Sequence, residues 1–353
     1  MALWFVVVSA IERSKSVLAL APRERYLPDM AAEGYRVGGG EPLALALHRL
    51  TTEQFSIAID ALSDPTADVG IATAATLQSM ARIAAVLRMV RASIGDEAYR
   101  TELRILNETT QLLASLLDGQ PELRALDQLR SRYEPVLQDG AFTELRAHLL
   151  RRHQLKRLQA LSEGEALQRT LHRLRRARAR FAAWPLDDHT DARMYGREPV
   201  ADSFEAVSAG LGRTYKRARR QWTTASTGDH DALPKLHREV RHLGHQVQVI
   251  SSSWPDVLGA TAAACVQLET VLSEEAGLSA LGSVLSDPTV VAEETEASLL
   301  QAIVASTRTD LQQITTILGR RMFVEPPRLF IARMEAYWQA KDLDLDLDES
   351  RTT

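Results

Sequence analysis

The stretch LPKLHREVRHLGHQVQVI (Leu233–Ile250) decides the fold class of this chain. Its large aliphatic residues follow one another in steps of three, four, three, four and three. That spacing is typical of the apolar seam of a helix packed in a bundle. The sequence therefore predicts a helix over about 233–251 with one buried face. The seam consists of Leu233, Leu236, Val240, Leu243, Val247 and Ile250.

The same periodicity extends outward over nearly the whole chain from Pro42 onward, and glycine or proline residues separate the periodic segments. No segment alternates long enough to predict a strand. The predicted fold class is all-α, with two packed helical bundles of four or five helices each. The predicted helices lie at about 42–62, 73–94, 97–117, 122–137, two within 141–184 split near 162–164, 203–222, 233–251, 256–274, 289–318 and 327–340.

The organisation predicted from these breaks is an N-terminal extension, two helical halves, a polar linker and an acidic tail. The apolar run Ala2–Ile11 is too short to span a bilayer and no basic residue precedes it. A first strand or helical turn packed on the core, or a start codon placed too early, is favoured over export. We expect a cytoplasmic protein without a membrane partner. The boundaries are 1–39, 40–184, 185–202, 203–340 and 341–353.

The composition excludes several classes of protein. The 353 residues carry 42 Lys or Arg and 46 Asp or Glu, a net charge of −4, which excludes a globally basic nucleic-acid binder. Residues 141–184 nevertheless hold eleven Lys or Arg and three acids. Aromatic residues make up 5 %, too few for a base-stacking platform, so nucleic-acid binding is not expected. The single cysteine, Cys265, excludes an internal disulfide and a thiolate zinc cage.

No complete catalytic motif occurs, and we expect a protein that is not an enzyme. The phosphate loop GxxxxGK[ST], GxGxxG after a strand, HExxH and GxSxG are all missing. Cys265 lies in an apolar helix and is predicted to be a core residue. His237, His242 and His245 share one helix without a supporting carboxylate or thiolate, so a polar bundle face is favoured over a metal site. The acidic tail lacks the features of a calcium loop. No metal and no cofactor are expected.

Basic ridges are the one chemical signal in the sequence. Arginine forks match phosphate oxygens, so parallel ridges suit a polyanion. The alternative is that these cations lie on solvated faces and pair with acids of neighbouring helices, and the residues alone favour this alternative. The ridges are Arg213 with Lys216, Arg217 and Arg220; Arg173 with Arg176 and Arg180; and His237 with Arg238 and Arg241.

Five segments, in order, resemble the conserved-histidine α-helical domain family, CHAD, over about residues 40–340. The resemblance implies two helical bundles related by a pseudo-twofold axis. It also implies a basic groove between them that binds inorganic polyphosphate without catalysis, in the cytoplasm or on polyphosphate granules. The segments are GEPLALALHRLTTEQF (Gly40–Phe55), RARARFAAWPL (Arg176–Leu186), FEAVSAGLGRTYKRARR (Phe204–Arg220), LPKLHREVRHLGHQVQVISSSWPDVLG (Leu233–Gly259) and GRRMFVEPPRLFIARMEAYW (Gly319–Trp338).

The chain departs from the family pattern where the signature histidines are expected. The first histidine position reads Ala74, and the second falls on Pro234 or, with a slip of one turn, on His237. Expected basic positions read Leu77, Gln78 and Ala81. The resemblance therefore implies weakened polyphosphate binding. The alternative function is a diverged scaffold that has lost polyphosphate and binds a protein. The resemblance and the ridges together assign the polyphosphate contacts to Arg82, Arg88, Arg91, Lys216, Arg217, Arg220, His237, Arg238, Arg241, Arg320 and Arg321.

Overall fold

The computed structural model describes residues 34–114, 120–135, 137–138, 140–162, 165–182, 200–287 and 294–349. Within these ranges the chain forms twelve α-helices and no strand, which confirms the all-α prediction. The helices are α1 (Leu43–Ser63), α2 (Val69–Met89), α3 (Arg91–Ile94), α4 (Asp96–Ala114), α5 (Gln120–Tyr133), α6 (Thr143–Ser162), α7 (Glu165–Ala182), α8 (Glu205–Ser226), α9 (Leu233–Val249), α10 (Pro255–Leu285), α11 (Glu294–Met322) and α12 (Pro327–Glu349).

Most helix boundaries lie within a few residues of their predicted positions, and two helices are longer. Helix α10 continues to Leu285, about three turns past its predicted end near residue 274, because Gly277 does not end it. A Cβ at Gly277 would lie 3.2 Å from the carbonyl oxygen of Pro121, so this glycine allows α5 to approach. Helix α12 continues to Glu349, beyond the predicted end at Ala340. No glycine or proline follows Ala340 to stop it.

The larger of two apolar clusters lies where helices α1, α2, α4 and α7 meet α8, α9 and α12. Helix α9 is central, and all six aliphatic residues of its predicted seam are buried. Helix α2 packs directly on α9, and the side-chain amide of Gln246 donates a hydrogen bond to the carbonyl oxygen of Ala85 across that contact (3.0 Å). The polar residues discussed below lie around this contact.

The second apolar cluster joins α5 and α6 to α10 and α11. The hydroxyl groups of Tyr133 and Thr307 lie 3.3 Å apart inside it. The guanidinium of Arg308 donates two hydrogen bonds to the buried carboxylate of Glu275, at 2.8 and 3.0 Å. Both clusters therefore contain helices from each side of residues 185–202.

Several sequence-based predictions lie outside the described residues. These are the packing of Ala2–Ile11, most of the linker 185–202 and the last four residues of the tail. Among the described helices, α2 is long and apolar enough to cross a membrane, and half of its apolar window is buried inside the protein. Buried core helices share that composition. Cys265 is a buried core residue, as predicted, and burial raises the pKa of its thiol to about 12.

Candidate functional site

The position of α8 is fixed at two points. A Cβ on Gly210 would overlap the carbonyl oxygens of Arg88 and Met89, so α8 lies in direct backbone contact with the end of α2. On another face, the ring of Tyr215 stacks on that of Phe330 with centroids 4.0 Å apart. The Tyr215 hydroxyl donates to the carbonyl oxygen of Glu325 (3.0 Å). These contacts leave the remaining face of α8 open to solvent.

The open face of α8 and the adjoining α3 carry a row of cations, here called the α8 strip. Lys216, Arg217 and Arg220 are exposed and have no acidic partner among the described residues. Arg91 is held by Asp96, with 2.8 Å between Nε and Oδ1, and its guanidinium lies over the ring of Tyr99. The strip consists of Arg91, Arg213, Lys216, Arg217 and Arg220.

Arg213 lies at the centre of the α8 strip. Burial lowers the pKa of its guanidinium, and the neighbouring charges of Arg91 and Arg217 lower it further. Its Nη2 atom is buried and has no hydrogen-bond partner within the described part of the chain. Three cations therefore converge here, with the carboxylate of Asp96 as the opposing charge. Such a cluster is stabilised by an anion that neutralises it.

A second group of predicted residues lies beside the α2–α9 contact. Arg88 is paired with Glu239, with 3.3 Å between Nη1 and Oε2. Arg241 donates to Glu269 of α10, with 2.6 Å between Nε and Oε1. Two of the expected phosphate-binding cations therefore already have carboxylate partners. Arg238 is exposed and lacks a partner among the described residues.

Arg82 of α2 also lies beside the α2–α9 contact, close to His245 of α9. Its guanidinium is 5.1 Å from the centre of the Tyr35 ring, and one of its nitrogens is 3.4 Å from Oε1 of Gln54. The Tyr35 hydroxyl in turn donates to the main-chain carbonyl of Arg82 (2.8 Å). Burial lowers the pKa of Arg82, and no carboxylate among the described residues pairs with it. Arg82 is thus a partly enclosed cation beside the α2–α9 contact.

The three histidines of α9 lie among charged side chains of the bundle, and all three rings are largely covered. Burial, with Arg241 close by, lowers the pKa of His237 to about 4. Burial and Arg82 lower that of His245 to about 3, and the pKa of His242 also lies well below its ordinary value. The Tyr35 ring packs edge-on against His245, with centroids 6.2 Å apart. These imidazoles are neutral at pH 7 and add no positive charge beside the α2–α9 contact.

The structure therefore does not bring the eleven predicted residues into one groove. Arg91, Lys216, Arg217 and Arg220 belong to the α8 strip. A second set lies beside the α2–α9 contact and consists of Arg82, Arg88, His237, Arg238 and Arg241. Arg320 and Arg321 are exposed at the end of α11. Arg213 is missing from the predicted set, although its spacing of three and four residues from Lys216 and Arg217 already placed it on their ridge.

Two cations of the basic ridge of α7 pair with acids of the neighbouring helix α4, as in the alternative interpretation of the ridges. Arg180 forms a double hydrogen bond with Glu102 of α4, at 2.8 and 3.0 Å. Arg173 lies 3.8 Å from a carboxylate oxygen of Glu108, which follows Glu102 by six residues on α4. The strongly basic sequence of residues 141–184 thus contributes in part to helix packing. Within the described part of the chain, no group of three or more His, Cys, Asp or Glu residues is placed to hold a metal ion.

Comparison of the chain with models of protein families, with curated proteins and with solved structures finds no match in any of the three.

Proposed function

We propose that this chain binds inorganic polyphosphate without catalysis, and that the α8 strip is the binding surface. The observation that carries the proposal is the Nη2 atom of Arg213, which is buried and has no hydrogen-bond partner among the described residues. Burial and the nearby charges of Arg91 and Arg217 lower the pKa of this guanidinium. The strip holds five cations, and the carboxylate of Asp96 acts on two of them, Arg91 and Arg213. The proposal includes a cytoplasmic location, on polyphosphate granules where these are present.

The geometry of the strip suits a linear polyanion. Arg213, Arg217 and Arg220 follow each other at helical spacings of four and three residues, which puts them about 5–6 Å apart along one ridge. A polyphosphate chain carries a negative charge at every unit, so successive units meet successive guanidinium groups. Binding of this kind is driven by the release of counterions and weakens steeply with salt.

The proposal also includes a divergent CHAD-like arrangement of two helical halves related by a pseudo-twofold axis. The packing of two pairs of helices supports this part of the proposal. Helices α1 and α2 pack on each other, as do α8 and α9, and the second member of each pair meets the other at the centre of the larger core. The order of these helices along the chain agrees with the resemblance of the sequence.

A second candidate function is the diverged scaffold without an anionic ligand. The ion pairs Arg88–Glu239 and Arg241–Glu269 favour the scaffold for the residues beside the α2–α9 contact, because an incoming phosphate must displace a carboxylate there. In the scaffold alternative, the α8 strip is a solvated face and long-chain polyphosphate does not bind at low salt.

The test is a titration of the full chain with long-chain polyphosphate at two salt concentrations. The double variant R217E/R220E reverses two exposed charges of the strip. The matched control, R175E/R178E, reverses two exposed arginines at the same spacing on α7. We expect R217E/R220E to bind at least about tenfold more weakly, with a salt dependence shallower by roughly 1.5 in the logarithmic slope. The control is expected to bind within about threefold of the unmodified chain.

The proposal fails if the two double variants bind equally well. It also fails if the unmodified chain shows no binding at low salt, which is the outcome that the scaffold alternative predicts. Melting temperatures of both variants show whether each one is folded. A parallel titration with duplex DNA is expected to show no dependence on base sequence, since the strip offers only contacts to phosphate.

A further inference from the structure

The corner between α11 and α12 exposes aliphatic side chains to an unusual degree. Val324 is 72 % exposed, Leu329 59 % and Ile317 54 %. Ile317 and Arg321 are four residues apart on α11 and so lie on one ridge, and Val324 follows in the turn that leads to α12. We call this surface the α11–α12 corner. It consists of Ile317, Arg320, Arg321, Val324, Arg328 and Leu329.

The corner is held rigidly by the residues beneath it. Phe323 and Phe330 are both buried, and the ring of Tyr215 packs against each of them. The Tyr215 hydroxyl bonds to main-chain carbonyl groups on both sides of the turn, at Met322 and Glu325. Anchoring of the two phenylalanines inward leaves the neighbouring aliphatic side chains pointing outward. The exposed residues are thus fixed by the fold.

The exposed charges among the corner residues are positive. Arg320, Arg321 and Arg328 are exposed and have no acidic partner among the described residues. Glu325 is the only acid between Ile317 and Arg333. Its carboxylate is already bound by Arg333, at 2.8 and 2.9 Å. The corner therefore presents three uncompensated guanidinium groups around an aliphatic tip.

We propose that the α11–α12 corner is a peripheral docking surface for an anionic lipid bilayer. A bilayer is the partner that uses both parts of the corner, because guanidinium groups bind lipid phosphates while aliphatic side chains enter the acyl boundary. Polyphosphate and nucleic acid engage the arginines alone and leave Val324 and Leu329 in water. A second copy docked on the same corner brings arginines against arginines. The proposal stands apart from polyphosphate binding and departs from the sequence-based expectation of no membrane partner.

The test is co-sedimentation of the full chain with phosphatidylcholine vesicles that contain about 30 % phosphatidylserine, compared with pure phosphatidylcholine vesicles. The variant V324S/L329S removes the aliphatic tip and keeps every charge. The variant R320Q/R321Q removes two cations and keeps the tip. We expect each to lower vesicle binding by about tenfold or more. The matched control is I71S, because Ile71 is as exposed as Val324 (72 %) and lies at the start of α2.

The proposal is overturned if the chain does not sediment with the anionic vesicles or if it binds both vesicle types equally. It is also overturned if V324S/L329S binds the anionic vesicles as well as the unmodified chain does, or if I71S binds them as weakly as V324S/L329S. Binding of a synthetic glutamate-rich amphipathic peptide at the corner, without vesicle binding, replaces the lipid with an acidic protein partner and also overturns it. The polyphosphate titration separates the two proposals. V324S/L329S is expected to bind polyphosphate normally, and R217E/R220E is expected to keep at least part of its vesicle binding through the intact corner.

Discussion

Arg88 of α2 is ion-paired with Glu239 of α9, with 3.3 Å between Nη1 and Oε2 and only 12 % and 7 % of the two side chains exposed. The pair joins helices from opposite sides of residues 185–202. A buried pair of this kind depends on both members, because desolvation of each charge is offset by the other. It also occupies a cation that the resemblance assigns to polyphosphate.

Replacement of one member is expected to destabilise the fold. E239Q leaves the guanidinium of Arg88 enclosed without a carboxylate, and its free energy of unfolding should fall by about 3 kcal/mol or more. Urea denaturation measures the change. The double variant R88M/E239M removes both charges and should be more stable than E239Q. A double variant less stable than E239Q contradicts this account of the pair.

A single methyl group at Gly210 is expected to push α8 away from α2. The Cβ of G210A overlaps the carbonyl oxygens of Arg88 and Met89, which are main-chain atoms without a rotamer to relieve the contact. We expect a loss of about 2–3 kcal/mol in the free energy of unfolding. G259A is the control, since nothing lies within 4 Å of its Cβ inside α10. That change should stabilise the chain by about 0.5–1 kcal/mol. Equal stabilities of the two variants would show that α8 does not need this close contact.

The buried histidines of α9 predict that stability falls in mild acid. The ordinary pKa of histidine is 6.5, whereas the pKa of His237 in the folded chain is about 4 and that of His245 about 3. Below pH 6.5 the unfolded chain takes up protons that the folded chain does not, so stability is full above pH 6.5 and is lost as the pH falls toward 4.

Melting temperatures measured between pH 7.5 and about pH 4.5 test this dependence. H245Q removes one of the depressed groups, so its melting temperature should fall less steeply with acid than that of the unmodified chain. H172Q changes an exposed histidine of α7 and serves as the control. An H245Q variant with the same slope as H172Q argues against the neutral, enclosed imidazole as the cause.

Removal of the acid inside the α8 strip is expected to strengthen polyphosphate binding. The carboxylate of Asp96 neutralises Arg91 and also acts on Arg213. D96N should therefore raise the affinity by about twofold to fivefold at low salt, and the gain should shrink as salt screens the charges. E53Q removes one equally negative but distant charge, which is paired with Arg49 on α1. If E53Q raises the affinity as much as D96N, net charge alone accounts for the effect.

The helices could be predicted because their spacing is a local property of the sequence. The seam of α9 is buried as its steps of three and four residues indicate. The burial of His245 could not be predicted, because the residue that covers it is Tyr35, in a segment that precedes the first predicted helix. The main-chain hydrogen bond from Val37 to Val249 (2.9 Å) holds that segment in place. Helical spacing identifies the face of a side chain and not what packs on it.

The candidate site was predicted in part for the same reason. The ridge of α8 is visible in its spacing, and its exposed cations have no acidic partner among the described residues that a ligand would have to displace. The loss of Arg88 and Arg241 to carboxylates depends on how α2 and α10 pack on α9, which spacing along one helix does not specify. The contact at Gly210 likewise decides which cations stand beside Arg213, and no local pattern marks it.

The mixed composition of the second apolar cluster has a consequence for synthesis on the ribosome. Helices α5 and α6 bury their apolar faces against α10 and α11, which leave the ribosome more than a hundred residues later. At ordinary elongation rates the delay is on the order of ten seconds. During that time the apolar faces of α5 and α6 remain open to chaperones and to neighbouring nascent chains, and the completed C-terminal helices close them.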